Sequence, residues 1–156
     1  GDGVFIWDDA RVEGIHTHNK QKFYPKITIE DGVTIQQRCH ITAAAHLEIG
    51  KDTMISFDVM IQDTDHEYQN IELPIGDQPL SVKETKIGSN CFIGSGVKIQ
   101  AGTILGEHCV IGSNSVVRGV YPSYCIIAGA PAKIIKRYDI NNSQWIRTDA
   151  EGNFIK

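Results

Sequence analysis

Ile87-Gly88-Ser89-Asn90-Cys91-Phe92-Ile93-Gly94-Ser95 sets the period of this chain. Outward from it an aliphatic residue returns every sixth position: Ile87, Ile93, Ile99, Leu105, Ile111 and Val117. Glycine follows directly at Gly88, Gly94, Gly106 and Gly112, and a second small or apolar residue comes four positions after each aliphatic, at Cys91, Val97, Thr103, Cys109 and Ser115. A period of six fits neither the alternation of a lone strand nor the 3.6-residue turn of a helix. It is the pattern of a solenoid, in which short strands joined by tight corners stack so that no rung buries its apolar face alone. With three hexads per coil, residues eighteen apart lie over one another, pairing Ile87 with Leu105, Ile93 with Ile111, Ile99 with Val117 and Cys91 with Cys109. The glycines are expected where the chain must bend without a Cβ in the way.

The same period opens earlier with Ile29, Ile35 and Ile41, carrying Val33, Cys39 and Ala45 in the second slot. Ile49 then follows Ile41 by eight residues rather than six, which predicts a two-residue bulge between Ala43 and His46. The register continues through Ile55 and Ile61 and stops. The chain is therefore read as one all-β domain over 1–156: an N-terminal cap (1–26), first coils (27–61), an extended loop (62–86), second coils (87–128) and a short C-terminal tail (129–156). Pro131 ends the ladder, because proline has no N–H to donate. Beyond it, Lys133 to Tyr138 reads as a basic strand or short helix, and Ala150-Glu151-Gly152-Asn153 as the turn of a small hairpin.

Bulk properties exclude several functions. Over 156 residues the formal net charge is −4 and no basic block occurs, which argues against nucleic acid as a main partner. No apolar run approaches the ~18 residues of a membrane span, and no secretory leader opens the chain, although Gly1 is compatible with a missing native segment. Cys39, Cys91 and Cys109 occupy small-residue slots and, with Cys125, form no CxxC pair, so free thiols in a reducing cytoplasm are expected rather than zinc or disulfides. His16 and His18 lie in a polar loop with no third ligand in view, which does not make a metal site.

The long excursion at 62–86 is turn-rich and polar, and such an interruption of a solenoid is more often functional than decorative. Hexads, a loop histidine and the closing Ile127-Ala128-Gly129-Ala130-Pro131-Ala132-Lys133 together resemble the hexapeptide-repeat acyltransferases, in the branch of bacterial polysaccharide O-acetyltransferases similar to galactoside acetyltransferase. The resemblance runs from Pro25 into the tail carrying Trp145. It implies a left-handed parallel β-helix, a homotrimer, and transfer of acetyl from acetyl-CoA to a sugar or glycan acceptor by direct reaction in a ternary complex, with the site between adjacent subunits.

In that family the loop histidine is the general base, and the match falls on His66 in Asp63-Thr64-Asp65-His66. A sugar hydroxyl is a poor nucleophile at neutral pH, and an imidazole can accept its proton as the bond to the thioester carbon forms. Many relatives show a second histidine where Thr64 stands. By resemblance the Gly94-Ser95 corner supplies the oxyanion donor, Ser95 and Ser113 lie beside the pantetheine arm, and Phe92 forms an apolar wall. Coenzyme phosphates call for cations, for which Arg118, Lys133, Lys136 and Arg137 are the candidates. Asp63 and Asp65 are candidates for fixing the His66 tautomer or for hydrogen-bonding the acceptor. Arg38 stands on an early coil where relatives place acceptor-binding residues, and its charge suggests an anionic acceptor.

Competing readings within this fold are an antibiotic-inactivating acetyltransferase, a non-catalytic trimeric scaffold and a γ-class carbonic anhydrase. The last usually shows a His-x4-His pair, and His16, His18, His40, His46, His66 and His108 contain no such spacing.

Overall fold

In the computed structural model, which describes residues 1–155, the hexads form the three walls of a parallel coil. The first wall stacks Phe5–Ile6, Thr34–Ile35, Met54–Ile55, Phe92–Ile93, Val110–Ile111 and Cys125–Gly129. The second stacks Arg11–Gly14, His40–Ala43, Met60–Gln62, Lys98–Ile99 and Val116–Val117, and the third Lys26–Ile29, His46–Ile49, Thr85–Ile87, Ile104–Leu105 and Val120–Tyr121. The eighteen-residue register holds, with Ile87 opposite Leu105, Ile93 opposite Ile111 and Ile99 opposite Val117.

The repeating aliphatics point inward. Ile35, Ile41, Ile49, Ile61, Ile87, Ile93, Ile99 and Ile111 have no exposed surface, and each such side chain contributes ~1.5–3 kcal/mol of transfer free energy. Hydroxyls in the small-residue slot are buried yet satisfied: Thr53 donates to the Gly88 carbonyl at 2.9 Å and Ser115 to that of Gly112 at 2.6 Å. Cys39, Cys91, Cys109 and Cys125 are unpaired and buried.

The corner glycines serve a purpose other than bending. A Cβ on Gly88 would sit 2.5 Å from the Gly106 carbonyl carbon in the coil above, so glycine is demanded by coil-to-coil approach. The bend itself falls two residues later, where Asp52, Asn90 and His108 hold φ of 57°, 55° and 52°. Asparagine and aspartate tolerate that left-handed region better than most residues.

Two boundaries differ from the sequence reading. Residues 1–26 are not a separate cap: Phe5–Ile6 pairs with Thr34–Ile35, Arg11–Gly14 with His40–Ala43, and the strand from Lys26 with His46–Ile49, which makes a first coil. Its strands escape a hexad search because Arg11–Gly14 shows little apolar pattern and a hairpin, Thr17–His18 against Gln21–Lys22, separates it from Lys26–Ile29. The excursion is also more ordered than its turn-rich composition suggests. Met60–Gln62 and Thr85–Ile87 belong to the walls, and Thr64–His66 pairs antiparallel with Leu80–Val82.

The bulge predicted between Ala43 and His46 is present as the bend at Ala44-Ala45. Hairpin, bulge and excursion all leave from the corner between second and third walls, in consecutive coils. At the other end, Gly129–Pro131 reverses the chain, and Ala132–Asp139 and Gln144–Arg147 extend the first wall antiparallel. Among the described residues, helical structure is limited to a 3-10 turn at Ile75–Asp77, and no helix is long and apolar enough to cross a membrane.

Candidate active site

Asp63 opens the excursion and is fully buried. Its carboxylate accepts the Ala44 and Ala45 N–H groups, each at 2.8 Å, while its own carbonyl accepts Lys83 N–H at 2.8 Å across the neck of the loop. A buried carboxylate is tolerated when its oxygens are filled by such donors. Asp63 is thus occupied in holding the loop to the coil beneath it and has no oxygen turned to an acceptor, contrary to the expectation for it.

Beyond this hinge, the hairpin sets Thr64 opposite Val82, Asp65 opposite Ser81 and His66 opposite Leu80. The loop tip is organised around Gln78, which is buried: its amide donates to the Asn70 and Leu73 carbonyls at 2.9 and 3.2 Å and accepts Asn70 N–H at 3.1 Å. The His66 ring is exposed, and it lines a groove of about 430 Å³ together with Glu13, His40, Thr42, Gln62 and Asp65. Outward residues of the second wall furnish one side of this groove, and the excursion furnishes the other.

Glu13, His40 and Thr42 were not singled out by sequence. They stand in adjacent strands of the second wall, and the His40 Nε2 lies 2.9 Å from a Glu13 carboxylate oxygen and 3.0 Å from the Thr42 hydroxyl. The hydrogen bond from His40 is the main reason the Glu13 carboxyl sits below its ordinary pKa, with Arg11 adding to it. The available signal was the alternation of Glu13, His40 and Thr42 with inward Val12, Ile41 and Ala43, but an outward polar residue looks the same whether it meets water or a ligand.

Asp65 is ion-paired with Arg118, which rises from the same corner two coils above. Arg118 is therefore engaged by the loop and is not a free cation for coenzyme phosphates. Lys133 is exposed and shares a shallow depression of about 310 Å³ with Arg118, Tyr121 and Pro131. Lys136 stands on the C-terminal hairpin opposite Ile126 and Arg147. Arg38 contradicts its expected role: its guanidinium makes two bonds to Asp58, at 2.8 and 3.0 Å, on the corner between first and second walls, and it does not line the His66 groove.

Ser95 and Ser113 stack as expected for one corner eighteen residues apart, their hydroxyls 3.3 Å from each other. Within that corner the Gly94 N–H is already bonded to the Ile111 carbonyl at 2.9 Å, so it is not free to serve as the expected oxyanion donor. Phe92 is exposed on the first wall. Thr64, where relatives carry a second histidine, is buried in the hairpin, yet a second imidazole does stand beside His66. It belongs to His18, whose ring centroid is 5.3 Å away at 75°. Among the described residues, no group of three or more metal-type ligands gathers.

This repeat and coil define a class. Residues 84–119 match the family described as bacterial transferase hexapeptide (six repeats). The chain is 35% identical over 126 residues to WbbJ of Escherichia coli (strain K12), whose name assigns it provisionally to O-acetyl transfer in lipopolysaccharide biosynthesis; the match takes in 76% of this chain and 64% of WbbJ. A maltose O-acetyltransferase from Clostridium difficile 630 superposes with a TM-score of 0.73 at 25% identity, over 87% of this chain and 67% of that one. A galactoside acetyltransferase solved in complex with coenzyme A shares the fold, with a TM-score of 0.63 at 23% identity over 98% of this chain and 72% of that one. Residues 84–119 carry the hexapeptide repeat of that family, and the coil has the left-handed parallel β-helix fold of these acetyltransferases. It spans just under two thirds of WbbJ's length.

Proposed function

We propose that the protein is an O-acetyltransferase that moves acetyl from acetyl-CoA to a sugar hydroxyl, with His66 as general base. The observation that carries this reading is the exposed His66 imidazole lining a polar groove, on a loop pinned to the coil by Asp63, Asp65 and Arg118. The acceptor hydroxyl attacks the thioester carbon as His66 takes its proton, the tetrahedral oxyanion collapses with cleavage of the carbon–sulfur bond, and the proton passes to the departing thiolate. Similarity to WbbJ and to the maltose O-acetyltransferase supports acetyl as the group and a sugar as the acceptor.

Groove chemistry favours a neutral acceptor over the anionic one that Arg38 suggested. Glu13 and Asp65 bring carboxylates to it, while Arg38 is held elsewhere by Asp58. Hydroxyl groups of a sugar match the Glu13, His40, Thr42 and Gln62 side chains as alternating donors and acceptors. On this reading the coenzyme arm runs past Ser95 and Ser113, and Lys133 and Lys136 meet its phosphates.

A trimer supplies the rest of the site. Phe5, Met54 and Phe92 form an outward column on the first wall and are 62%, 50% and 44% exposed in the single chain. Thr34 lies between Phe5 and Met54 in this column; an exposed apolar column of this kind suits an association surface, which closed symmetry covers in every copy. Four unpaired thiols suit a reducing cytoplasm.

The test is acetyl-CoA turnover against a panel of sugar nucleotides, mono- and oligosaccharides, with His66→Ala beside the unaltered protein. Loss of ~10²–10⁴-fold in kcat is expected for removal of the base. Full activity in the variant overturns His66 as base, and acetylated enzyme accumulating without acceptor overturns direct transfer.

A further inference from the structure

We propose that His18 is a positioning residue for His66, so that the hairpin of the first coil sets the orientation of the catalytic base. This deepens the reading of His66 as base and rests on it. His18 lies forty-eight positions before His66, in a segment whose composition reads as a plain polar loop. Stacked corners bring the two together, because the 17–22 hairpin and the 63–84 excursion leave the coil from the same edge.

Independent contacts converge on His66 from this hairpin. His18 meets the His66 ring edge to face, a favoured geometry for two planar rings. The His18 Nε2 is 3.0 Å from the Gln78 carbonyl oxygen. The same nitrogen lies 3.1 Å from the Asn19 amide nitrogen, and these two contacts hold the His18 ring in place. Asn19 donates to the Gly76 carbonyl at 3.2 Å. Gln21 clamps the backbone of Leu80 from both sides, accepting its N–H at 2.7 Å and donating to its carbonyl at 3.2 Å. Leu80 is the cross-strand partner of His66. The hairpin therefore holds both the strand paired with the one that carries the base and the His66 ring itself, while His66 also lines the groove. His66 makes no side-chain hydrogen bond of its own among the described residues, so packing is what orients it.

Positioning has a kinetic signature distinct from folding. An imidazole that swings away from its near-attack geometry loses rate rather than donor affinity. Assayed with acetyl-CoA and the best acceptor of the panel, His18→Ala should lower kcat by ~10–10²-fold with the KM for acetyl-CoA unchanged. His18→Phe, which keeps a ring against His66, should recover most of the loss; His18→Gln, which keeps a donor but no ring, should not. Gln21→Ala, leaving both rings in place, reports loosening of the Leu80 clamp alone and should lower kcat in the same direction. In histidine-labelled protein, the ring proton resonances of His66 should move in His18→Ala and return toward their original positions in His18→Phe. Unchanged kcat in His18→Ala, with His66→Ala inactive, overturns the positioning role and leaves the base intact. Full activity in His66→Ala instead overturns the base, and the inference falls with it. Equal loss in the Phe and Ala variants, or a His66 resonance indifferent to His18, also refutes it.

Discussion

Asp63 gives both its carboxylate oxygens to Ala44 and its neighbour, at 2.8 Å each, from a position with no exposure to solvent. The excursion that bears His66 begins at this residue, so the loop's origin is fixed by the bulged coil beneath it. The two extra residues of that bulge are what place the two N–H groups side by side.

Asp63→Asn should loosen the loop without unfolding the coil. An amide keeps one acceptor oxygen and turns an NH2 toward the second backbone N–H. Leaving that buried donor unpaired costs about 1–3 kcal/mol. Thermal denaturation should show a lowered Tm, and hydrogen exchange should quicken at Thr64–His66 and Leu80–Val82 while the Ile93–Ile111 rungs stay protected.

Arg38→Ala should leave the acceptor KM where it is, since Arg38 is bonded to Asp58 and lies outside the groove. That hydrogen bond is the main cause holding the Asp58 carboxyl below its ordinary value of 3.8. Carbon NMR of the variant should therefore show the Asp58 titration moving up toward that value.

The Glu13–His40 contact gives a pH dependence of known sign. The Glu13 carboxyl titrates below 4.5 in the folded chain, chiefly through the bond from His40. A depressed carboxyl stabilises the fold above its unfolded value and loses that contribution as pH falls through the lowered one. The contact should persist at neutral pH and open only below about pH 4.5, the ordinary value for Glu13. Carboxyl chemical shifts followed from pH 7 to pH 2.5 check it, and Glu13→Gln should abolish the transition.

Thiol accessibility tests the core. Cys39, Cys91, Cys109 and Cys125 are all buried, and burial raises the Cys39 thiol above its ordinary value, further suppressing its thiolate. A disulfide reagent at pH 8 should find the native protein unreactive and should titrate all four thiols in denaturant. Rapid native labelling would mean that the coil opens more readily than its packing allows.

A core truncation calibrates the stack. Ile99 is fully buried between Ile61 and Val117. Ile99→Ala should cost about 2–5 kcal/mol, measured by urea unfolding, whereas the outward Lys98→Ala should change stability far less.

The hexads made the coil legible because each inward Ile or Val is required by its own rung, and the requirement repeats every six residues. The bulge after Ile41 was legible for the same reason, as a break in a count. The excursion was visible as the place where the pattern lapses, and His66 as a polar ring within it. The first coil escaped notice because Phe5–Ile6 and Arg11–Gly14 present little apolar pattern and a hairpin separates them from Lys26–Ile29. The fates of Asp63, Asp65, Arg118 and Arg38 depended on partners 18 or more residues away in the chain. A carboxylate that binds a sugar and one that caps two backbone N–H groups are the same letter in sequence. Only stacked corners brought His18 against His66, because residues far apart along a coil become neighbours through the rise and register of its turns, and local composition carries no record of that distance.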